Sequence, residues 1–480
     1  MTTVQRDAAP IPDLGAWRSV HLIGMGGAGM SGIARLLLAK GIAVSGSDLK
    51  DSRGLDPLRE GGATVFVGHR ADQVGKPNAV VVSTAIPEDN PELRAALSSG
   101  IDVVSRAQAL AALMRGHRTV AVGGTHGKTT TTSMIAVMLT RMGLDPSFVI
   151  GGNLNESGSG AGSGGGEVFV AEVDESDGSF LLFDPEIAVV TNIEPDHLDY
   201  YGTALAVEAA FSAFAERAGA VVACWDDGGV RRALASSEPK LFRYGRDGEV
   251  DLLIEEEELS PGGSRALFVA RGRRSGRGTR IEVRLAVPGR HNVLNAAAAL
   301  GTAVLLDLPL TEAAEAVASF SGVHRRFERR GTFGGATLVD DYAHHPTEVA
   351  ATLQTARLGR AGRVVAVFQP HRYTRTEAMW RELGESLGTA DVIVLTDVYA
   401  AGESPIPGVT GKLVVDAAAE AAPGKRIVYL PRRSEVAPFL AREIRDGDMV
   451  LTLGAGDITM VGDETLERLL EPERPWEPTP

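Results

Sequence analysis

Residues 119–130, TVAVGGTHGKTT, are the stretch that decides the fold. An apolar strand runs into a glycine-rich loop, and a helix is predicted from Lys128 to about Met142. In such a loop backbone N–H groups surround phosphates, Lys128 reaches the β- and γ-oxygens, and Thr129 offers its hydroxyl to Mg²⁺. The strict GxxxxGK[ST] pattern fails at Val122, so an ordinary Gly-Lys helix start is the alternative. The predicted ATP-binding loop comprises Gly124, Thr125, His126, Gly127, Lys128, Thr129 and Thr130.

Strands and helices alternate on both sides of this loop, which predicts an α/β protein. Three blocks are expected: a Rossmann-like domain over residues 1–115, a central P-loop ATPase-type domain with a mixed sheet over 116–322, and a Rossmann-like domain over 323–480. The low-complexity stretch 157–166, SGSGAGSGGG, is predicted to be a flexible surface loop. Further strands are predicted at 19–23, 42–44, 79–82, 168–173, 187–192, 336–339, 364–368, 392–395 and 449–453, with antiparallel strands within 248–287.

Composition limits the function classes. The 480 residues carry a formal charge of −14, which argues against broad nucleic-acid binding. The single cysteine, Cys224, excludes an intramolecular disulfide and fits a reducing cytoplasm; it is expected to be an inert strand-end residue. Residues 1–17 lack the pattern of a signal peptide, and no apolar run is long enough to insert into a membrane. We therefore expect a cytoplasmic protein.

A second glycine loop, GMGGAG at 24–29, follows the first predicted strand. Glycines there let the backbone approach a pyrophosphate, and Asp48 at the end of the next strand suits a ribose hydroxyl. The pattern alone indicates NAD or FAD, and the same logic applies to a UDP-sugar. A tight turn without a ligand is the remaining alternative.

Two acidic clusters, EVDESD at 172–177 and EPDHLD at 194–199, follow predicted strands. Ligands bind at the carboxyl ends of strands in open α/β sheets, and Mg²⁺ prefers oxygen ligands. Glu172 and Thr129 are therefore predicted metal ligands, and His197 is a less usual one. Solvated acidic loops are the alternative.

Together these motifs resemble those of the Mur ligases, which attach amino acids to the peptidoglycan precursor. The resemblance spans nearly the whole chain, and the stretches at 24–32, 340–348 and 368–376 favour the L-alanine-adding members. The motifs that carry it are GMGGAGMSG at 24–32, STAIPEDNPE at 83–92, GGTHGKTTTTSM at 123–134, AEVDESDGSF at 171–180, NIEPDHLDYYG at 192–202, PGRHNVLNAAAA at 288–299, GVHRRFE at 322–328, DDYAHHPTE at 340–348, FQPHRYTRT at 368–376 and GAGDI at 454–458.

The resemblance implies three domains that bind UDP-N-acetylmuramic acid, ATP and the amino acid in turn. It also implies that the glycine loop at 24–29 binds a UDP-sugar. His291, Asn292 and Asn295 share one helix face and resemble residues that contact adenine; a capped helix start is the alternative. The implied UDP-sugar residues are Gly26, Ala28, Gly29, Asp48, His69, Ser83, Thr84 and Arg106, of which Arg106 alone would more often be a surface cation.

The implied reaction is an ATP-dependent ligation through an acyl phosphate, with Mg²⁺, or Mn²⁺ as an alternative metal. Lys128 and His197 are expected to assist catalysis. His344 is the expected general base, although His344 or His345 alternatively serves as a structural turn residue. Arg372 and Arg375 are expected to bind the amino-acid carboxylate, one of them alternatively being a surface cation. Arg326 is expected to reach the ATP phosphates when the domains close.

Three rival functions stay open at this point. One is a sister ligase that adds a recycled tripeptide to the same acceptor. Another is a nicotinamide-dependent oxidoreductase, which leaves the phosphate loop and both acidic clusters unexplained. The third is a non-catalytic nucleotide-binding scaffold. For the ligase, the expected partners are UDP-N-acetylmuramic acid, L-alanine and ATP, with no nucleic acid or membrane, and the expected state is a monomer or weak homodimer.

Overall fold

The computed structural model describes residues 10–237, 240–272, 276–359 and 362–470. The first nine residues of the segment examined for a signal peptide lie outside this set. The chain divides into two compact units. The first comprises residues 1–257, 266–285 and 293–321, and the second comprises residues 258–265, 286–292 and 322–480.

The first sheet has the order β3-β2-β1-β4-β5, and every adjacent pair is parallel. β4 is buried throughout, as expected for a parallel strand covered on both faces. Strands β2 and β3 are added on one side of β1, and β4 and β5 are added on the other side. The order of the strands therefore reverses between β1 and β4, and ligands bind in the crevice at this point in such folds. The strands are β1 (Ser19–Ile23), β2 (Ala43–Asp48), β3 (Thr64–Val67), β4 (Ala79–Val82) and β5 (Asp102–Ser105), with helices α1 (Ala28–Ala39), α2 (Asp56–Glu60), α3 (Pro91–Ser98) and α4 (Arg106–Met114).

The second sheet has ten strands in the order β15-β14-β13-β12-β11-β10-β6-β9-β7-β8. Its centre is parallel: β6 pairs with β9 on one side and with β10 on the other. The strands are β6 (Arg118–Gly123), β7 (Ser147–Val149), β8 (Ala161–Gly162), β9 (Val168–Glu172), β10 (Ile187–Val190), β11 (Ala220–Cys224), β12 (Leu241–Gly245), β13 (Leu252–Ser260), β14 (Gly263–Ala270) and β15 (Arg280–Leu285).

Within the described residues, six α-helices lie in the part of the chain that follows β6, the first strand of this sheet, and ends before residue 322. α5 starts at Lys128, as the sequence predicts, and Cys224 is buried at the end of β11. The helices are α5 (Lys128–Arg141), α6 (Leu198–Tyr201), α7 (Ala204–Arg217), α8 (Gly228–Leu234), α9 (Arg290–Leu305) and α10 (Leu310–Val317).

The prediction of a flexible surface loop at 157–166 is wrong in part. Ala161–Gly162 form β8, which pairs antiparallel with β7, and Ala161 is buried. The glycines permit this packing, because a Cβ at Gly166 would stand 1.9 Å from the Leu144 carbonyl oxygen. The glycine-rich composition therefore reflects close backbone approach as well as chain flexibility.

The third sheet has the order β16-β17-β21-β18-β19-β20, and only the β16–β17 pair is antiparallel. The predicted strands at 364–368, 392–395 and 449–453 are confirmed. The strands are β16 (Glu328–Phe333), β17 (Ala336–Asp341), β18 (Val364–Phe368), β19 (Val392–Leu395), β20 (Arg426–Tyr429) and β21 (Met449–Leu453), with helices α11 (Pro346–Arg357), α12 (Tyr373–Ser386), α13 (Gly411–Ala421), α14 (Val436–Glu443) and α15 (Met460–Leu470). Among the described residues, no helix combines the length and apolarity needed to span a membrane.

An aromatic cluster lies directly after the acidic segment 172–177. Phe180 contacts Phe211 edge to face, with ring centroids 5.1 Å apart, and Phe214 at 5.0 Å. All three rings are fully buried. Such aromatic pairs stabilise a core beyond their buried area. The cluster therefore fixes the chain where the acidic segment ends.

We expect Phe180→Ala to lower the free energy of unfolding of the first unit by about 3–5 kcal/mol, because it removes a buried ring and leaves a cavity. Urea unfolding measures the change. Leu205→Ala is the control, since Leu205 is 75% exposed, and it should change stability by less than about 0.5 kcal/mol. Equal losses in the two variants would contradict the prediction.

Candidate functional site

The phosphate loop connects β6 to α5. Gly127 lies directly before the helix with φ at +79°, a left-handed conformation that favours glycine. Lys128 is the first helical residue. Its Nζ donates to the carbonyl oxygens of Gly124 at 2.6 Å and Thr125 at 3.1 Å, and to Glu175 Oε1 at 2.8 Å. The lysine is thus held over the loop by three acceptors.

The segment after β10 fixes the shape of this loop. Because β10 runs parallel to β6, their carboxyl ends lie side by side. The N–H of His126 donates to Asn192 Oδ1 at 2.7 Å, and Thr191 Oγ1 donates to the His126 carbonyl at 2.6 Å. The Glu194 N–H donates to Thr125 Oγ1 at 2.9 Å. Thr191, Asn192 and Glu194, the residues at the start of the second acidic cluster, therefore hold the phosphate loop in shape through hydrogen bonds.

Two of the three predicted metal ligands meet in the structure. Thr129 Oγ1 donates to Glu172 Oε1 at 3.1 Å, and the Gly151 N–H donates to Glu172 Oε2 at 2.6 Å. A hydroxyl beside a carboxylate at a phosphate loop matches the oxygen ligands that Mg²⁺ prefers. The residues present therefore fit that ion.

His197, the third predicted metal ligand, has a strained backbone conformation. Its φ is +56°, in the left-handed region, and it precedes α6. The described contacts of its Nε2 run to Asp196 at 3.5 Å and to Glu175 at 3.7 Å. Strain of this kind concentrates at functional positions. The geometry places His197 with the acidic cluster through Glu175.

Glu175 is a site residue that the sequence interpretation quoted within a motif but did not select. Its side chain is buried, and burial raises its pKa to about 7, against the lowering effect of Lys128. Burial also acts to lower the pKa of Lys128, but Glu175 and Asp174 outweigh it and raise that pKa, so the ammonium stays charged. The available signal was the acidic spacing, which does not reveal which carboxylate faces the lysine.

A cleft with a volume of about 600 Å³ lies at the crevice of the first sheet. Seven of the eight predicted UDP-sugar residues line it. The eighth, Gly26, donates its N–H to Asp48 Oδ2 at 2.9 Å, and a Cβ there would stand 2.8 Å from that oxygen. The residues that line the cleft include Ala28, Gly29, Asp48, His69, Ser83, Thr84, Arg106 and Asp174.

Arg106 joins this cleft to the phosphate loop. Its guanidinium donates to Asp174 Oδ2 at 3.0 Å, and Asp174 is adjacent in sequence to Glu175, the partner of Lys128. Burial acts to raise the pKa of Asp174, but Arg106 and Lys128 hold it well below its usual range. Arg106 is therefore part of the cleft wall, and the alternative of an isolated surface cation is not what the structure shows.

In the second unit, the predicted amino-acid residues gather around His371. The His344 and His371 rings lie 5.7 Å apart, and Arg375 Nη1 is 3.5 Å from His371 Nδ1. Arg372 has a left-handed φ of +69° and its N–H donates to the Tyr399 carbonyl. His371 was missed because its motif, HRYTR, contains more obvious carboxylate-binding residues.

The two adjacent histidines have different surroundings. His345 is the residue before α11, and its Nδ1 accepts the Thr347 N–H at 3.4 Å, a capping role. His344 Nδ1 lies 3.0 Å from the Tyr342 carbonyl oxygen, and an N–H there would donate to it and leave the lone pair on Nε2. The role of a structural turn residue, the alternative to a general base, therefore fits His345 better than His344.

The remaining predicted ATP residues lie in both units. Arg326 stacks over the Tyr342 ring with its Cζ 5.1 Å from the centroid, and its Nη1 lies 3.9 Å from Glu348. On α9, Asn292 Nδ2 donates to the Pro288 carbonyl at 2.7 Å. In the first unit, Asn295 Oδ1 accepts from Thr131, on the helix that follows the phosphate loop. Their role toward adenine remains a prediction.

Burial keeps three histidines of the second unit neutral. Desolvation lowers the pKa of His344 to about 4, against the raising effect of Glu348. It lowers the pKa of His291 to about 4, aided by Arg326, and that of His371 to about 3, aided by His344. At neutral pH these imidazoles therefore carry no charge.

Acid should destabilise the second unit. Below about pH 6.5 the unfolded chain protonates His344, whereas the folded chain does so only near pH 4, so unfolding takes up a proton between these values. We expect the free energy of unfolding to fall by about 2 kcal/mol between pH 7 and pH 5 from His344 alone. Urea unfolding at both pH values measures this, and His344→Gln should flatten the dependence. The same pH dependence in wild type and variant would contradict the prediction.

Family models match successive regions of the chain. The Mur ligase family catalytic-domain model matches residues 19–118, the Mur ligase middle-domain model matches 122–303, and the Mur ligase glutamate-ligase-domain model matches 325–456. Each region contains one of the three sheets. The three-domain α/β architecture predicted from the sequence is therefore confirmed.

Similar proteins agree with these matches. The UDP-N-acetylmuramate--L-alanine ligase of Saccharopolyspora erythraea is 50% identical over 93% of this chain and 92% of its own length, and that of Mycolicibacterium smegmatis is 49% identical over 94% and 95%. The crystal structure of the UDP-N-acetylmuramate-alanine ligase MurC from Thermotoga maritima is similar with a TM-score of 0.81 and 29% identity, covering 95% of this chain and 100% of that one. The chain belongs to the Mur ligase family of ATP-dependent ligases.

Proposed function

We propose that this protein ligates L-alanine to the lactyl carboxylate of UDP-N-acetylmuramic acid, using ATP, in peptidoglycan biosynthesis. The products are UDP-N-acetylmuramoyl-L-alanine, ADP and phosphate. The main support is the sequence identity of 50% to a UDP-N-acetylmuramate--L-alanine ligase, over 93% of this chain and 92% of that protein. A nucleotide-sized cleft joined to a phosphate loop through Arg106 and Asp174 supports it.

The phosphate loop binds ATP through its backbone N–H groups, and Lys128 stabilises charge on the γ-phosphoryl group. The lactyl carboxylate oxygen attacks the γ-phosphorus, the bond to the β–γ bridging oxygen breaks, and ADP leaves. The product is an acyl phosphate. Lys128 must exchange its loop and Glu175 contacts for phosphate oxygens when ATP binds.

Thr129, Glu172 and His197 are the proposed Mg²⁺ ligands. A bound Mg²⁺ would neutralise part of the charge that develops on the transferring phosphoryl group. In the described structure Thr129 already donates to Glu172, so the hydroxyl and the carboxylate lie where one cation can bind both. Mn²⁺ accepts similar oxygen ligands and is the proposed substitute.

The second unit supplies the amino-acid site. Arg372 and Arg375 are proposed to bind the alanine carboxylate, and His344 to accept the ammonium proton through Nε2. The amine nitrogen then attacks the acyl carbon, and the tetrahedral intermediate collapses by expelling inorganic phosphate. Arg326 is proposed to contact the ATP phosphates, and His291, Asn292 and Asn295 the adenine. His344 is proposed for this role because its Nδ1 lies 3.0 Å from the Tyr342 carbonyl oxygen, which leaves Nε2 as the proton acceptor.

We place this reaction in the cytoplasm, where both nucleotides are available and a lone buried cysteine needs no oxidising compartment. A monomer or weak homodimer is the proposed state. The domain boundaries near residues 115 and 322 remain predictions.

ADP release tests the function directly. With UDP-N-acetylmuramic acid and ATP, we expect turnover when L-alanine is added and little with the recycled tripeptide. Lys128→Ala should lower kcat by about 10²–10³-fold, because one preorganised transition-state contact is lost. Turnover with the tripeptide alone would favour the sister ligase. Tight NADH binding without ATP binding would favour the oxidoreductase, and full activity of Lys128→Ala would contradict the assigned role.

Glu172→Gln tests the metal site. We expect the variant to need at least about tenfold more Mg²⁺ for half-maximal ADP release, since it loses a charged oxygen ligand. Glu167→Gln is the matched control, because this exposed residue lies at the other end of β9. A shared change in both variants, or an unchanged Mg²⁺ requirement in Glu172→Gln, would remove Glu172 from the site.

A further inference from the structure

A fully buried carboxylate, that of Glu92, contacts His69, which lines the cleft of the first sheet (the acceptor cleft, proposed to bind UDP-N-acetylmuramic acid). Glu92 has no exposed surface, yet its Oε2 accepts a hydrogen bond from Ser47 Oγ at 2.5 Å and lies 2.9 Å from His69 Nδ1, which is also 2.9 Å from Ser47 Oγ. Its Oε1 faces His21 Nε2 at 3.5 Å, and His21 is also fully buried. A buried charged group is costly unless it is paired and hydrogen-bonded. This cluster has no part in the reaction steps derived above.

The local sequence fixes Glu92 in this position. Asn90 caps α3, and its Oδ1 accepts the N–H groups of Glu92 at 2.9 Å and Leu93 at 3.1 Å. Leu93 packs in an apolar cluster with Ile23 and Val80, which anchors the first turn of the helix. The carboxylate therefore projects beside β1 and β2 from a rigid helix start.

The hydrogen bonds keep Glu92 ionised. Burial acts to raise its pKa, but the hydrogen bonds from His21, Ser47 and His69 outweigh that effect and lower the pKa below its ordinary value. An anionic carboxylate accepts hydrogen bonds and cannot donate them. It therefore favours a proton on His69 Nδ1, the nitrogen that faces it.

His69 is the member of this cluster that lines the cleft. Its side chain is 16% exposed, whereas those of Glu92, Ser47 and His21 are buried. With Nδ1 engaged, Nε2 is the one polar atom of the ring left for a ligand. Carboxylates that orient an imidazole in this way fix its tautomer and direct its second nitrogen.

We propose that Glu92 is a positioning residue for the acceptor nucleotide: it fixes His69 as the Nδ1–H tautomer, so that Nε2 accepts a hydrogen bond from an N–H or O–H group of the UDP-sugar. The proposal rests on the proposed function only in taking this cleft as the acceptor site. Glu92 itself does not touch the ligand. Its effect should therefore reach acceptor binding through His69 and leave ATP binding unchanged.

The kinetic test compares Glu92→Gln, His69→Gln and the double variant. Glu92→Gln should raise KM for UDP-N-acetylmuramic acid by about tenfold, because a charge-assisted hydrogen bond is lost, with kcat and KM for ATP within about twofold of wild type. In the His69→Gln background, adding Glu92→Gln should change KM by less than about twofold, since the two residues act as one unit. The matched control is Glu88→Gln, an exposed carboxylate of the same segment, which should match wild type.

Two kinetic results would overturn the proposal: a parallel rise in KM for ATP and for UDP-N-acetylmuramic acid, or a full Glu92→Gln effect when His69 is already replaced. Long-range proton–nitrogen NMR of the wild-type chain, with His69→Gln for assignment, gives a test that does not depend on the folding of Glu92→Gln. We expect a proton on His69 Nδ1 and none on Nε2 in the complex with UDP-N-acetylmuramic acid. A proton on Nε2 would contradict the tautomer. If wild type binds this nucleotide but releases no ADP with L-alanine, the proposed function fails while the NMR result still decides the role of Glu92.

Discussion

The chemistry of the first unit depends on three neighbouring parallel strands, β10, β6 and β9, that end at the same edge of one sheet. Parallel pairing leaves the loop after each strand beside the loops after its neighbours. The phosphate loop follows β6, the first acidic segment follows β9, and the second follows β10. Lys128 therefore contacts Glu175, which lies 47 positions later in the chain, and His126 contacts Asn192, which lies 66 positions later.

Three acids of the first segment are directed to three different partners. Glu172 accepts from Thr129, Asp174 pairs with Arg106, and Glu175 pairs with Lys128. Each partner is a group proposed to meet a metal ion, a UDP-sugar or ATP. Asp174 and Glu175 thus neutralise Arg106 and Lys128, the two cations that are proposed to meet anionic ligands. Binding must exchange these contacts, and the shared anion Asp174 links the electrostatics of the acceptor cleft to those of the phosphate loop.

Much of the fold was predictable because its signals are local. β1, β4, β18, β19 and β21 match the predicted bounds, and α5 begins at Lys128. Continuous apolar runs and glycine turns are properties of neighbouring residues, so periodicity detects them. β8 was missed because its two residues are defined only by pairing with β7, a contact that composition does not encode.

The site was predictable for residues within strong motifs and not for residues that act on them. Glu175, His371 and Glu92 all lie in quoted motifs, yet their importance arises from partners far away in sequence. Burial and hydrogen bonding together decide their charge, and both are tertiary properties. Sequence spacing therefore located the loops, whereas the choice of one carboxylate over its neighbour required coordinates.

The glycine loop at 24–29 shows why a local motif does not determine which ligand it binds. Asp48 was expected to meet a ribose hydroxyl, and in the structure its Oδ2 accepts the Gly26 N–H and so holds the loop itself. That contact is compatible with a dinucleotide or with a UDP-sugar, because it concerns the shape of the loop. What distinguishes the two is the wall of the cleft. Arg106 and Asp174 connect it to a second phosphate site, and His69 backed by Glu92 adds a fixed polar atom. A nucleotide at the phosphate loop, as proposed, would serve phosphoryl transfer to the ligand of the cleft, a step that hydride transfer from a dinucleotide does not use.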